Sequence, residues 1–230
     1  MKLYVREAGS GEALVLLHGN GENSSYFEYQ IPYFSQHYHV IAVDTRGHGK
    51  SPRGTKPFTL IQFAKDLKQL LDQMGLKKVN LLGFSDGGNI ALIFAIVYPS
   101  YVNKLIVNGA NIFPNGMKKK VEFSIFKRYY MLTLCPKKTA KLRHEKELVA
   151  LMTKEPRLKW TDLWKIKAPT LVIVGDRDLI SERHTRKIAE WIPDSKLVIL
   201  AGGHSVAREN WKKFNLQVEH FLSEPHKILQ

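Results

Sequence analysis

Ser85, Asp178 and His204 are the residues of this 230-residue chain whose types and spacing could carry out nucleophilic chemistry. Ser85 lies in Gly83-Phe84-Ser85-Asp86-Gly87-Gly88, after the apolar run Val79–Leu82 and before a stretch of helical character. A serine hydroxyl is a weak nucleophile at its own pKa and needs a neighbouring base. His204, in Ala201-Gly202-Gly203-His204-Ser205, is the candidate base. Asp178, in Val174-Gly175-Asp176-Arg177-Asp178, is the candidate carboxylate to hold the imidazole in the useful tautomer. Each of the three follows a short apolar run, and the order serine, aspartate, histidine suits acyl transfer to the serine. Asp176 competes for the third role. Asp178 is preferred, because Asp176 reads as the residue that caps the turn.

The serine motif also predicts its own local structure. A turn from strand to helix that exposes one hydroxyl forces a strained backbone at the serine, and Gly83 and Gly87 leave room where side chains would collide. Acyl transfer further requires donors for a developing oxyanion. The stretch Leu16-Leu17-His18-Gly19-Asn20-Gly21 follows the first strong apolar run, so the backbone N–H of Asn20 is expected to pair with that of Asp86. The side chain of Asp86 has two readings of equal weight: a receptor for a substrate cation on the acyl side, or an early-turn acid favoured by the helix dipole. His18 reads as a structural histidine that holds its loop. His37, His39, His144, His184, His220 and His226 read as solvated surface residues. Gly47-His48-Gly49-Lys50-Ser51 imitates the end of a phosphate loop, but Asp44 stands where that motif needs glycine.

The elements that must position these residues are legible from periodicity. Met1–Glu7 reads as an opening strand. The runs Leu14–Leu17, Val40–Val43, Val79–Leu82, Leu105–Val107, Leu171–Val174 and Leu197–Leu200 read as buried parallel strands. Thr59 caps a predicted helix with Phe63, Leu67, Leu70, Leu71 and Met74 on one face and Gly75 at its end. Further helices are expected over 86–97, 182–191 and 206–222. Alternation of this kind predicts an α/β fold with a mostly parallel central sheet flanked by helices. Residues 112–160 break the alternation, with helical fragments at Val121–Leu134 and Thr139–Thr153. The expected organisation is therefore a core of 1–111 and 161–230 with a helical lid inserted at 112–160.

Composition bounds the function. The length suits one α/β domain. No apolar run reaches the length of a membrane span, and no signal peptide precedes the opening strand, so a cytoplasmic location is expected. Cys135 is the single cysteine, which excludes an intrachain disulfide. The net charge is +14, and residues 113–165 contribute fourteen Lys and Arg against five Asp and Glu, a net +9. That segment lacks any nucleic-acid-binding signature, so no nucleic-acid partner is expected. It reads either as a solvated basic face or as a lid that contacts an anionic substrate or surface. No metal site and no cofactor are expected.

Taken together, His18-Gly19-Asn20-Gly21, Asp44-Thr45-Arg46-Gly47-His48-Gly49-Lys50-Ser51, the Ser85 turn, Gly175-x-x-Asp178 and Gly203-His204 resemble the α/β-hydrolase superfamily over nearly the whole chain outside 112–160. Tyr98-Pro99-Ser100-Tyr101-Val102 and Asn108-Gly109-Ala110-Asn111 are similar to its valacyclovir hydrolase (biphenyl hydrolase-like) branch. The resemblance implies an α/β-hydrolase fold and a serine esterase acting on a small-molecule ester, including amino-acid esters. Members that use an aspartate nucleophile are excluded by Ser85. Two alternatives stay open: a carbon–carbon bond hydrolase of the same fold, and a non-catalytic ligand-binding member.

Overall fold

The computed structural model describes residues 1–136 and 139–225. Seven strands form one sheet: β1 (Val5–Ala8), β2 (Glu12–Leu17), β3 (Tyr38–Val43), β4 (Val79–Phe84), β5 (Val102–Asn108), β6 (Thr170–Gly175) and β7 (Ser195–Leu200). Their order is β1-β3-β2-β4-β5-β6-β7. β1 runs antiparallel to β3 and every other pair is parallel. The six predicted parallel strands are all present, but β7, at the edge of the sheet, is not buried as its apolar run implies: none of its residues is fully buried and Ile199 is exposed. β4 and β6 are buried along their whole length, which explains why they read as unbroken apolar runs: both faces of the sheet are covered. The registers pair Leu17 with Val43 and Gly83, Phe84 with Asn108, and Gly175 with Leu200. The carboxyl ends of these strands therefore form one edge, where ligands of open α/β sheets bind.

Eight α-helices are described: α1 (Gln30–Phe34), α2 (Leu60–Gln73), α3 (Asp86–Val97), α4 (Lys119–Leu134), α5 (Ala140–Lys154), α6 (Glu182–Trp191), α7 (Val206–Glu209) and α8 (Trp211–Ser223). Thr59 caps α2 as its sequence predicts, its hydroxyl accepting from the Gln62 N–H at 3.2 Å. The helix buries Phe63, Leu67, Leu70 and Leu71. α3 is apolar nearly all round because it is buried between α2 and strands β4 and β5. The single helix expected over 206–222 is two helices. Asn210 breaks it with φ −130° and ψ 44°, and its side-chain amide donates to the Ala201 carbonyl at 2.9 Å. That bond ties the break to the loop carrying His204. Residues 112–160 hold α4 and α5, packed against each other, and no strand among the described residues. No helix among the described residues is long and apolar enough to cross a membrane.

Two buried cations are each held by three hydrogen bonds. Lys104 donates to the carbonyls of Phe221, Leu222 and Glu224 at 3.0, 2.6 and 2.5 Å, so it closes the carboxyl end of α8. Arg46 makes two 2.7 Å bonds to the two oxygens of Asp66 on α2 and a third, of 3.0 Å, to the Arg53 carbonyl. The pair fastens the loop after β3 to the helical layer. Removing one member strands a buried charge, so Asp66→Ala should cost about 3–5 kcal/mol of stability. Urea unfolding measures this, and a loss under about 1 kcal/mol, the value of an exposed pair, would show that Arg46 is not held by Asp66.

Candidate active site

Ser85 stands alone between β4 and α3, with φ 53° and ψ −119°. It is the single described non-glycine residue with positive φ. Such a conformation persists only where its surroundings impose it. Here they do. A Cβ on Gly83 would lie 2.2 Å from the Gly87 carbonyl oxygen, and one on Gly87 would lie 2.1 Å from that of Leu17. The Ser85 N–H donates to the Asn108 carbonyl at 2.8 Å, and Asn108 in turn donates from its side chain to the Ile173 carbonyl at 2.9 Å. The turn is thus fastened to β5, and β5 to β6.

The three candidate residues meet at the carboxyl edge of the sheet. His204 Nδ1 lies 2.8 Å from Asp178 Oδ1, and His204 Nε2 lies 3.0 Å from Ser85 Oγ. A carboxylate can only accept, so the neutral ring carries its proton on Nδ1 and leaves Nε2 to accept from the serine. Asp178 Oδ1 also accepts from the Ile180 N–H at 2.8 Å, which fixes the carboxylate. Asp178 is 4% exposed, whereas Asp176 is 49% exposed at its side chain. Asp176 instead accepts from the Gly202 N–H at 3.0 Å and pairs with Arg177. The two carboxylates of the motif therefore sit in different surroundings, and only Asp178 reaches the imidazole.

Asn20 and Asp86 are also brought together. The Asn20 side-chain amide donates to Asp86 Oδ2 at 2.8 Å and to the Leu148 carbonyl of α5 at 3.0 Å. Asn89 donates to Asp86 Oδ1 at 3.1 Å and to Asn111 at 3.1 Å. Burial raises the Asp86 pKa, and the amide donors from Asn20 and Asn89 oppose the rise. The backbone N–H groups of Asn20 and Asp86 have no acceptor among the described residues.

The other histidines divide. His18 accepts from the Thr45 N–H at 3.0 Å through Nε2, with Nδ1 2.8 Å from the Gly19 carbonyl. It joins the β2 and β3 loops, and burial lowers its pKa. His48 lies beside it, stacked on Phe58, its pKa lowered to about 4 chiefly by burial. His184 is not the solvated surface residue that its helical setting implies. It is 6% exposed, accepts from the Ile112 N–H at 3.1 Å, and has its pKa lowered by burial to about 4. Its helix turns it inward against Phe113 and Trp160, an orientation set by packing rather than by residue type. His226 lies outside the described residues.

Three further residues stand near the imidazole: Gly109 and Phe84 lie in motifs that assign them no role, and Glu22 lies in none. Gly109 has φ +63°, and a Cβ there would lie 2.9 Å from His204 Cε1. Phe84 places its ring 4.9 Å from the imidazole and stacks on Tyr26 at 4.2 Å. Glu22 accepts from the Gly19 N–H at 3.2 Å, and its carboxyl pKa is raised by burial. A cavity of about 860 Å³ opens between the α4–α5 hairpin and the loop after β3. Arg53, Arg143, Lys146, Lys154 and Glu147 line it, and Ser85 does not. Arg143, Lys146 and Lys154 of the basic segment thus border a side chamber that Ser85 does not line.

The sequence profile described as alpha/beta hydrolase fold matches residues 12–132. Serine hydrolase BPHL of Homo sapiens is 28% identical over 96% of this chain and 83% of its own length. The 2-hydroxy-6-oxononadienedioate/2-hydroxy-6-oxononatrienedioate hydrolase of Comamonas testosteroni is 28% identical, covering 96% of this chain and 91% of that one. The crystal structure of the enol-lactonase from Burkholderia xenovorans LB400 superposes with a TM-score of 0.82 at 22% identity, covering 96% of both chains, a likeness of fold.

The differing surroundings of the two aspartates make a direct test. A fluorophosphonate reports an activated serine without knowledge of the substrate. Asp178→Asn should slow its reaction with the protein by about 10⁴-fold, the loss typical when an aspartate that orients a catalytic histidine becomes an amide. Asp176→Asn should slow it little. Labelling rates followed by intact mass would reveal a reversed ranking, which would mean that Asp176 orients His204 in solution.

Proposed function

The chain belongs to the α/β hydrolase fold family, and from that membership we infer that it is a serine hydrolase that cleaves a small carboxylic ester through Ser85. The single observation that carries the reading is the continuous hydrogen-bonded line from Ser85 Oγ through His204 to Asp178. In this mechanism Ser85 Oγ attacks the ester carbonyl carbon as its proton passes to His204 Nε2. The negative charge gathered on the carbonyl oxygen is held by the N–H groups of Asn20 and Asp86, the latter at the amino end of α3. Asp178 stabilises the imidazolium. Collapse of the tetrahedral intermediate breaks the bond to the alkoxy oxygen, which leaves as the alcohol with the proton from His204. Water then attacks the acyl-serine by the same route, releasing the acid and restoring the hydroxyl. The chemistry calls for no metal or organic cofactor.

On the acyl side, Asp86 is the proposed receptor for the α-amino group of an amino-acid ester. The support is a carboxylate 8% exposed, immediately after the nucleophile. Each of its oxygens accepts one described amide and retains a second acceptor site. A partly desolvated carboxylate attracts a cation more strongly than an exposed one. Carbon–carbon bond hydrolysis of an oxo-acid is the second reading. The name of the Comamonas testosteroni relative, an oxo-dicarboxylate hydrolase, favours it.

Two experiments test these assignments. Purified protein should hydrolyse members of a panel of short-chain, thio- and amino-acid esters. Ser85→Ala and His204→Ala should each remove about as much activity as the double variant, because residues that act as a unit lose their effect together; near-normal turnover by Ser85→Ala would overturn the mechanism. Hydrolysis of an oxo-dienoic diacid with no ester turnover would favour the second reading. For Asp86, the readout is the ratio of kcat/KM for an α-amino ester to that for its des-amino analogue. Asp86→Asn should drive this ratio towards one, whatever loss the two substrates share. A ratio already near one in the unmodified protein would remove the amino-recognition role.

A further inference from the structure

Helix α4 carries an exposed apolar stripe that its own fold leaves uncovered. Phe123, Phe126, Tyr130 and Leu134 are spaced by three, four and four residues, so they lie on one helical face. They are 71, 44, 63 and 62% exposed. The opposite face, with Val121, Ile125, Tyr129 and Leu132, is turned inward, and α4 packs on α5. The outward face therefore adds nothing to the core. Large side chains at that exposure, gathered on one helix, mark a surface that is covered by something else.

The charge around the stripe points to what covers it. Lys118, Lys120 and Lys127 are exposed and form no ion pair among the described residues, while Lys119 pairs with Glu122 at 2.8 Å. At 100° per residue, Lys120 and Lys127 flank the stripe on one side, and Lys119 lies in line with it at the first turn of the helix. They belong to the segment with net charge +9. A second copy of this chain would set that positive surface against another of the same sign. A nucleic acid would satisfy the lysines but has no layer to take Phe123 and Leu134. An anionic bilayer offers both: acyl chains for the aromatic and leucine side chains, and negative headgroups for the lysines.

We propose that α4 is an interfacial docking helix that seats the protein on an anionic lipid surface, with Phe123, Phe126, Tyr130 and Leu134 in the headgroup–acyl boundary. The helix begins beside the candidate site. Met117 bridges Ile180, and the Lys118 N–H donates to the Leu179 carbonyl at 2.9 Å. The Ile180 N–H in turn holds the carboxylate that meets His204. Docking through α4 therefore brings the loop of Asp178 up to the bilayer, where apolar molecules concentrate. The proposal is independent of which bond the enzyme breaks.

The test is co-sedimentation of the full chain with vesicles of phosphatidylcholine alone or doped with phosphatidylserine. Binding should require the anionic lipid. It should weaken at least about tenfold between about 0.1 M and about 1 M salt, as the screening length falls from about 10 Å to about 3 Å. Two sets of surface variants separate the contributions. Phe123→Ser with Phe126→Ser and Leu134→Ser removes the apolar stripe; Lys120→Glu with Lys127→Glu reverses two flanking charges. Each set should cut binding about tenfold or more, since apolar burial and each basic residue contribute separately. An unchanged thermal midpoint shows that the fold survives. The proposal is overturned if the unmodified chain ignores phosphatidylserine vesicles, or if neither set changes binding. It is also overturned if gel filtration shows a dimer that the stripe variants dissociate, which would assign the face to a second copy.

Discussion

At Ser85 the chain passes from a buried strand into a buried helix within one residue, and the backbone can do so only because nothing occupies the space beside it. A conformation of this kind costs about 1–3 kcal/mol. The surroundings hold it through backbone contact closer than any side chain would permit: Gly83 against Gly87, and Gly87 against the end of β2. Ser85 is thereby set at the end of β4 with the amino end of α3 behind it. That crowding binds the geometry of β2, β4 and α3 into one unit, so the loop after β2, with Asn20, is set by the same contacts that set the serine.

Around this turn, polar groups rather than apolar packing fix the loops. Asp44 accepts from the N–H groups of Ser24 and Lys50 at 2.7 and 2.8 Å. His18, neutral and buried, joins Thr45 to the loop after β2. The Arg46–Asp66 pair fastens the next residue to α2. Buried polar groups in partnership specify one arrangement, because each alternative would leave a donor or acceptor unmet. Asn20 extends this logic to the inserted helices, since one amide reaches both Asp86 and the Leu148 carbonyl. The approach of α5 to the core and the setting of Asp86 are coupled through that side chain.

Helices α4 and α5 follow different rules. α4 and α5 pack on each other and present most of their charge to solvent and to the side chamber. Their basic character does not bear on Ser85 directly, so long-range attraction and local chemistry are separated in space. A carboxylate at Asp86 and a cationic hairpin coexist because the former is buried at the turn and the latter faces outward.

Much of this was legible in the sequence. Runs of Val, Ile and Leu announced the parallel strands, because a strand covered on both faces has no reason to alternate. The glycines around Ser85 and the serine–aspartate–histidine order announced the elbow and the edge where it would sit, since close backbone approach admits only glycine. What the sequence left open depended on residues distant in the chain. Whether Asp176 or Asp178 faces the histidine was decided by which carboxylate the β6 loop turns inward, and the break at Asn210 by a bond to Ala201. His184 looked like a surface residue, because a helix pattern does not reveal which face meets Phe113 and Trp160. Gly109 and Phe84 stand in motifs that assign them no role, and Glu22 stands in none, so only the fold brings all three near the imidazole. Local rules, periodicity and backbone sterics are written in neighbouring residues, so the sequence alone determined the fold class and the elbow. The partners of each buried polar group are chosen by three-dimensional packing, so only the tertiary structure decided which of the eligible side chains meet.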